Sequence, residues 1–201
     1  MYKDTSVDIF LEDLADKEVE MGGGSLIGLN LASVCSLICY IANLTIGKKK
    51  YINVQKEAQN ILDEATSLKE LTVELIDKDK EVLEEILMTY KLREESKEEY
   101  EEALVKAVDF SLEVLEKSVE VLNLVNRISK IGNLMLVSDF EIGAYMAYAA
   151  VESSVTNVKI NLMNIEDENY VEKMKNKYLD VLEDAYKIKE EILKSTREKL
   201  K

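Results

Sequence analysis

The stretch from Leu26 to Ile46 carries no charged residue, although 33% of the 201-residue chain is charged. Gly22-Gly23-Gly24-Ser25 leads into it and Gly47-Lys48-Lys49-Lys50 follows it. An apolar run of this length reads as a helix that has to be enclosed on every side. About 20 apolar residues also suffice to cross a membrane. Asn30, Ser33, Ser36, Asn43 and Thr45 stud the run, however, and the remaining helical segments have charged, water-facing sides. A buried core helix is expected, with no membrane partner. Ser25 stands where it can cap this helix by accepting from a free N–H of the first turn. A helix start of this kind favours an anion, and a helix end favours cations such as the three lysines.

The rest of the composition points the same way. Proline is absent and glycine is limited to 7 residues, so little interrupts helix propagation. Aromatics make up 6%, which disfavours a β-sandwich or barrel. The expected class is all-α: a single-domain multi-helix bundle over residues 1–201, with long helices around the buried central one. Against 26 basic residues stand 40 acidic ones, for a net charge of −14. That field opposes binding to a nucleic-acid backbone, so no nucleic-acid partner is expected. Met1 to Lys17 is polar and amphipathic rather than basic-then-apolar, unlike a secretory leader. Cys35 and Cys39 share one helix face with near-parallel Cβ directions, which is poor disulfide geometry. A reducing, cytoplasmic setting follows.

Taken in order, the apolar spacing predicts a first helix opening at Thr5 or Ser6. The central helix follows, with a stripe of small residues at Ser25, Gly28, Ala32, Cys35, Cys39 and Ala42. A third helix is expected over 51–76, broken by Asp77-Lys78-Asp79-Lys80, with a shorter one over 81–90 that Asp79 would cap. Residues 91–102 read as a charged turn. A long helix over 100–131, with a bend or break near Ser111, then ends at Gly132-Asn133. Ser138 and Glu141 have capping-box spacing at the start of the next helix. That helix carries a second small stripe, from Gly143 through Ala147, Ala150 and Ser154 to Asn157 and Asn161, so it is expected to lie against the first stripe. A last amphipathic helix starts near Asp167.

The sequence has no histidine, which removes Ser-His-Asp, Cys-His and Glu-x-x-His chemistry and leaves the two thiols without the usual partners for zinc. No metal site is expected. The glycine run lacks a preceding strand and a following Walker lysine, so it is not a nucleotide loop. Carboxylates, lysines, amides and the N–H groups at helix starts remain. The amides Asn133, Asn157 and Asn161 fall, together with Asp139, among apolar and small residues. Such amides serve either as hydrogen bonds between helices or as ligand contacts, and both readings stay open.

Gly22-Gly23-Gly24-Ser25, Ala42-Asn43-Leu44-Thr45-Ile46-Gly47-Lys48-Lys49, Ile76-x-x-Asp79 and Gly132-Asn133…Ser138-Asp139…Asn157-Val158-x-x-Asn161-Leu162 occur in this order between about Phe10 and Asp167. Together they resemble the cyclodeaminase/cyclohydrolase family, which includes the cyclodeaminase domain of formiminotransferase-cyclodeaminase and stand-alone methenyltetrahydrofolate cyclohydrolases. The chain departs from the family pattern in having Met21 instead of proline, Val82-Leu83 instead of Ala-Phe, and no proline in the 108–114 region. The resemblance implies an all-helical homodimer acting on a folate, with no cofactor beyond the tetrahydrofolate substrate. It implies that Asp79 is the catalytic proton donor and acceptor, and that Gly22, Gly23, Gly24 and Ser25 form a folate-site loop. Asn133, Asp139, Asn157 and Asn161 match motif positions near that pocket. Lys48 and Lys49 either attract the glutamate carboxylates of the folate tail or complement the helix end. Methenyltetrahydrofolate hydrolysis is the first expectation and formiminotetrahydrofolate cyclodeamination the second. An inactive helical folate-binding or scaffold protein is the non-enzymatic alternative.

Overall fold

Six helices account for most of the chain in the structure, a computed structural model that describes residues 2–19 and 21–199. They are α1 (Val7–Ala15), α2 (Gly23–Asn43), α3 (Gln55–Leu92), α4 (Lys97–Ile131), α5 (Val137–Leu162) and α6 (Glu168–Lys199). Short 3₁₀ turns precede α1, α3 and α5. Ser6 caps α1, its hydroxyl accepting from the Ile9 N–H at 3.3 Å. Asp167 caps α6 by accepting from the N–H groups of Asn169 and Tyr170. Both starts fall where short polar residues precede an apolar period.

The long helices are longer than the sequence periodicity suggests. α3 runs unbroken through Asp77-Lys78-Asp79-Lys80, so Asp79 is a mid-helix residue and caps nothing on its own helix. Four charged residues in a row weaken the apolar face, but none of them bars the helix, because each keeps its backbone N–H and tolerates helical dihedrals. α4 likewise continues past Ser111, whose hydroxyl donates to the Ala107 carbonyl at 2.7 Å and so is satisfied within the helix. The charged segment over 91–102 is a turn only from Arg93 to Ser96.

The core forms around α2. Leu31, Val34, Cys35, Ile38 and Ile41 are shielded completely or almost so, and Cys35 and Cys39 are free thiols. Burial pushes the Cys35 thiol up to about 12. α2 and α5 are neighbours as expected, but their small stripes face other helices. A Cβ added at Gly28 would lie 3.0 Å from the Thr72 carbonyl oxygen and 2.9 Å from Ile76 Cγ1, so the α2 stripe admits α3. On α5, a Cβ at Gly143 would meet Val125 of α4 at 3.4 Å, and Ser154 shares a hydrogen bond with Ser118 of α4. Each stripe therefore seats a different partner, and α2 meets α5 across a groove bridged by the Asn30 amide, which donates to the Met146 carbonyl at 2.9 Å. The segments Gly23–Asn43 and Leu134–Leu162 are both long and apolar enough to cross a membrane; here α2 spends that surface on the core of the bundle.

Candidate functional site

The site grows from the contact between the start of α2 and the middle of α3. α2 begins at Gly23 with Gly22 as its cap residue, so Ser25 lies inside the first turn and is not the cap. The helix is capped from outside. Asp79 Oδ2 accepts from the Ser25 N–H at 2.7 Å and from the Ser25 hydroxyl at 2.9 Å. A carboxylate at a helix start meets free N–H groups and the positive end of the helix dipole. Gly24 makes the approach possible, since a Cβ there would fall 1.8 Å from Asp79 Oδ1.

Asp79 stands on the wall of a cleft of about 150 Å³. Gly22, Gly23 and Gly24 form the adjoining wall, and Val82, Leu83 and Ile86 continue the Asp79 face along α3. Phe110 of α4 and Asn157, Ile160 and Asn161 of α5 close the other side. The Asn161 amide donates to the Ser111 hydroxyl at 3.3 Å, which leaves its carbonyl oxygen available. Gly23 and Asn157 also line the larger α2–α5 groove, of about 650 Å³, so the two openings adjoin. Among the described residues no lysine or arginine lines either of them. Burial raises the Asp79 pKa above its ordinary value, and the two Ser25 donors act against that rise. A half-desolvated carboxyl in an apolar cleft is suited to taking up and returning a proton. Among the described residues no three His, Cys, Asp or Glu side chains are gathered as metal ligands.

The residues singled out in the sequence divide between two ends of the bundle. Asp79, Gly22, Gly23, Gly24, Asn157 and Asn161 meet at the cleft, while Ser25 is fully buried behind it. Lys48 and Lys49 follow the other end of α2, about 31 Å away for 21 residues at about 1.5 Å each. They lie outside this chain's cleft because the helix that carries the glycine loop points them away from it. Asn133 is also at that far end. Its backbone N–H donates to Thr45 Oγ1 at 3.0 Å, its amide donates to the Leu44 carbonyl, and its Oδ1 accepts from Tyr51 and from the Met135 N–H. Asn133 caps the 3₁₀ turn before α5 and ties it to the end of α2. α5 opens at Val137, so Ser138 is no cap, and Glu141 accepts from Thr196 of α6 instead. Asp139 is in the first turn of α5, about 27 Å along the helix from Asn157. Asn133→Ala is expected to cost about 1–2 kcal/mol in a denaturant melt, the value of a lost cap, and to leave the cleft's chemistry as it is.

The apolar cleft residues Val82, Leu83, Ile86, Phe110 and Ile160 are absent from the sequence-based set. For the three on α3 the signal was available: positions 79, 82, 83 and 86 share one helix face once α3 is read as continuous; Phe110 and Ile160 come from α4 and α5 and join them only in the fold.

The description formiminotransferase-cyclodeaminase belongs to a family model that matches residues 6–180 of this chain. The chain is a member of that family. A methenyltetrahydrofolate cyclohydrolase of Methylorubrum extorquens is 28% identical over 97% of both chains. A formimidoyltransferase-cyclodeaminase of Gallus gallus is 26% identical over 88% of this chain, which spans 34% of that longer protein. The crystal structure of formiminotetrahydrofolate cyclodeaminase from Thermotoga maritima superposes on all of this chain and 98% of its own, with a TM-score of 0.86 at 26% identity. In this member of the formiminotransferase-cyclodeaminase family, the matched region takes in α1 to α5, every residue of the cleft, and the start of α6.

Proposed function

We propose that this family member is a methenyltetrahydrofolate cyclohydrolase, converting 5,10-methenyltetrahydrofolate and water to 10-formyltetrahydrofolate with Asp79 as acid and base. The carrying observation is a half-buried carboxyl with a raised pKa, presented to an apolar cleft beside a glycine-lined helix start. The match to a cyclohydrolase over 97% of both chains supports the choice of reaction. Asp79 accepts a proton from the water that attacks the methenyl carbon. The resulting tetrahedral carbinol loses its bond to N5 as Asp79 returns the proton to that nitrogen, and its hydroxyl releases the remaining water proton to solvent to leave the formyl group on N10. A carboxylate also offsets the positive charge of the methenyl group before attack. The proposed reaction calls for no cofactor beyond the tetrahydrofolate substrate. Asn157 and Asn161 supply amide groups for the polar edge of the pterin.

A second reading, formiminotetrahydrofolate cyclodeamination with release of ammonia, is favoured by the likeness to the Thermotoga maritima cyclodeaminase. The same carboxyl would protonate the departing amine. Turnover of both substrates by the pure protein, followed by the ultraviolet absorbance of the methenyl form, separates the two reactions. Turnover of neither would leave a folate-binding or scaffold protein. We also propose a cytoplasmic homodimer occupying 1–201 as one domain. Leu26 and Tyr40 of α2 and Ile142, Tyr145 and Ile160 of α5 expose apolar surface on the two helices that flank the groove. Sedimentation equilibrium is expected to give twice the 22.9 kDa chain mass.

A further inference from the structure

We propose that Ser25 is a positioning residue that assigns different tasks to the two oxygens of Asp79, anchoring Oδ2 and leaving Oδ1 to carry the transferable proton. The inference rests on Asp79 as the acid and base of the proposed function. Two donors of one residue converge on Oδ2. The backbone N–H at 2.7 Å belongs to the first turn of α2 and cannot turn away. The hydroxyl has a choice: its oxygen is 2.9 Å from Oδ2 and 3.3 Å from the Ile76 carbonyl oxygen, and its single proton serves one acceptor at a time. With Asp79 ionised, the charge-assisted bond to Oδ2 is the stronger of the two. With Asp79 protonated, the hydroxyl proton is free to turn to Ile76. A proton on Oδ2 would point at the fixed N–H, so it resides on Oδ1, which accepts no hydrogen bond among the described residues.

Little else competes for this carboxyl. α2 brings no charged group, since none occurs between Gly23 and Asn43. On α3, Asp77 accepts from the Tyr2 N–H, Lys78 is paired with Glu113 of α4, and Lys80 lies 3.9 Å from Glu84. α5 faces the cleft with the neutral Asn157 and Asn161, and α4 with Phe110 and Ser111. Ser25 is fully buried, and so is protected from water that would otherwise replace its hydrogen bonds.

Ser25→Ala removes the hydroxyl and keeps the backbone donor. It is expected to lower kcat by about 10-fold, as for a lost hydrogen bond to a charged group, with KM unchanged within about two-fold. The acid limb of the kcat–pH profile should move to higher pH, because a donor that favoured the ionised form is gone. Ser25→Thr keeps the hydroxyl and should restore the limb, and ¹³C NMR titration of the Asp79 carboxyl, assigned with Asp79→Asn, should move in parallel. An unmoved carboxyl titration in Ser25→Ala overturns the inference. The titration needs no turnover, so inactivity of the wild-type protein on both substrates would sink the proposed function while the hold of Ser25 on Asp79 is still decided.

Discussion

Asp79→Asn is expected to lower turnover of methenyltetrahydrofolate by about 10²–10⁴-fold, the usual worth of a general acid–base group, without unfolding the protein. An amide oxygen can take the place of Oδ2 and keep both Ser25 bonds, while its NH₂ occupies the position of Oδ1 and cannot take up a proton. The same substitution has a signed effect on stability. Burial holds the folded-state pKa of Asp79 above its unfolded value, so the folded protein binds the proton more tightly. That contribution is fully present below the unfolded value of about 3.9 and is lost as pH rises through the raised folded value. Asparagine does not titrate. The unfolding midpoint of the variant, relative to wild type, should therefore improve as pH rises through that window to neutrality. A turnover rate within two-fold of wild type would remove Asp79 from the chemistry.

Gly24→Ala is the other substitution with a large expected effect. The new methyl would lie 1.8 Å from Oδ1 and 2.4 Å from Cγ of Asp79, and no real contact is that short. Either the carboxyl swings out of its place at the start of α2 or the two helices separate. Overpacking of this kind typically costs about 1–3 kcal/mol, and displacement of the carboxyl should lower kcat/KM by at least about 10²-fold. Gly23→Ala is the matched control: it meets no atom within 4 Å. Its melting temperature should equal or exceed that of wild type, because alanine is the better helix former. Thermal melts of both variants, run beside their kcat/KM values, test this contrast directly. Equal behaviour of the two would mean that the close approach of α3 to Gly24 has no functional weight.

The sequence resolved some of these features and blurred others for identifiable reasons. The start of α1 at Ser6, the end of α4 at Gly132 and the start of α6 after Asp167 were legible, because caps are local chemistry. The continuity of α3 was not, because Asp77-Lys78-Asp79-Lys80 erases the apolar period without breaking the backbone. That misreading gave Asp79 a cap on its own helix, whereas it caps α2, a residue separation of 54. The motif positions fall at both ends of the bundle. Asn133 fastens the turn before α5 to the far end of α2, Asp139 lies in the first turn of α5, and Lys48 and Lys49 lie beyond the end of α2.

By itself, the sequence determined an all-α chain with an uncharged central helix, a glycine run leading into it, and two thiols poorly placed for a disulfide. Helix propensity, apolar period and the absence of proline act within a few turns, so they are readable without a fold. Only the tertiary structure decided what comes close to the glycines. It is a carboxylate from α3, brought within hydrogen-bonding distance because Gly28 and Gly24 have no side chains to hold the helices apart. The proton affinity of Asp79 was settled there too, since desolvation depends on what surrounds a group and not on its neighbours in sequence.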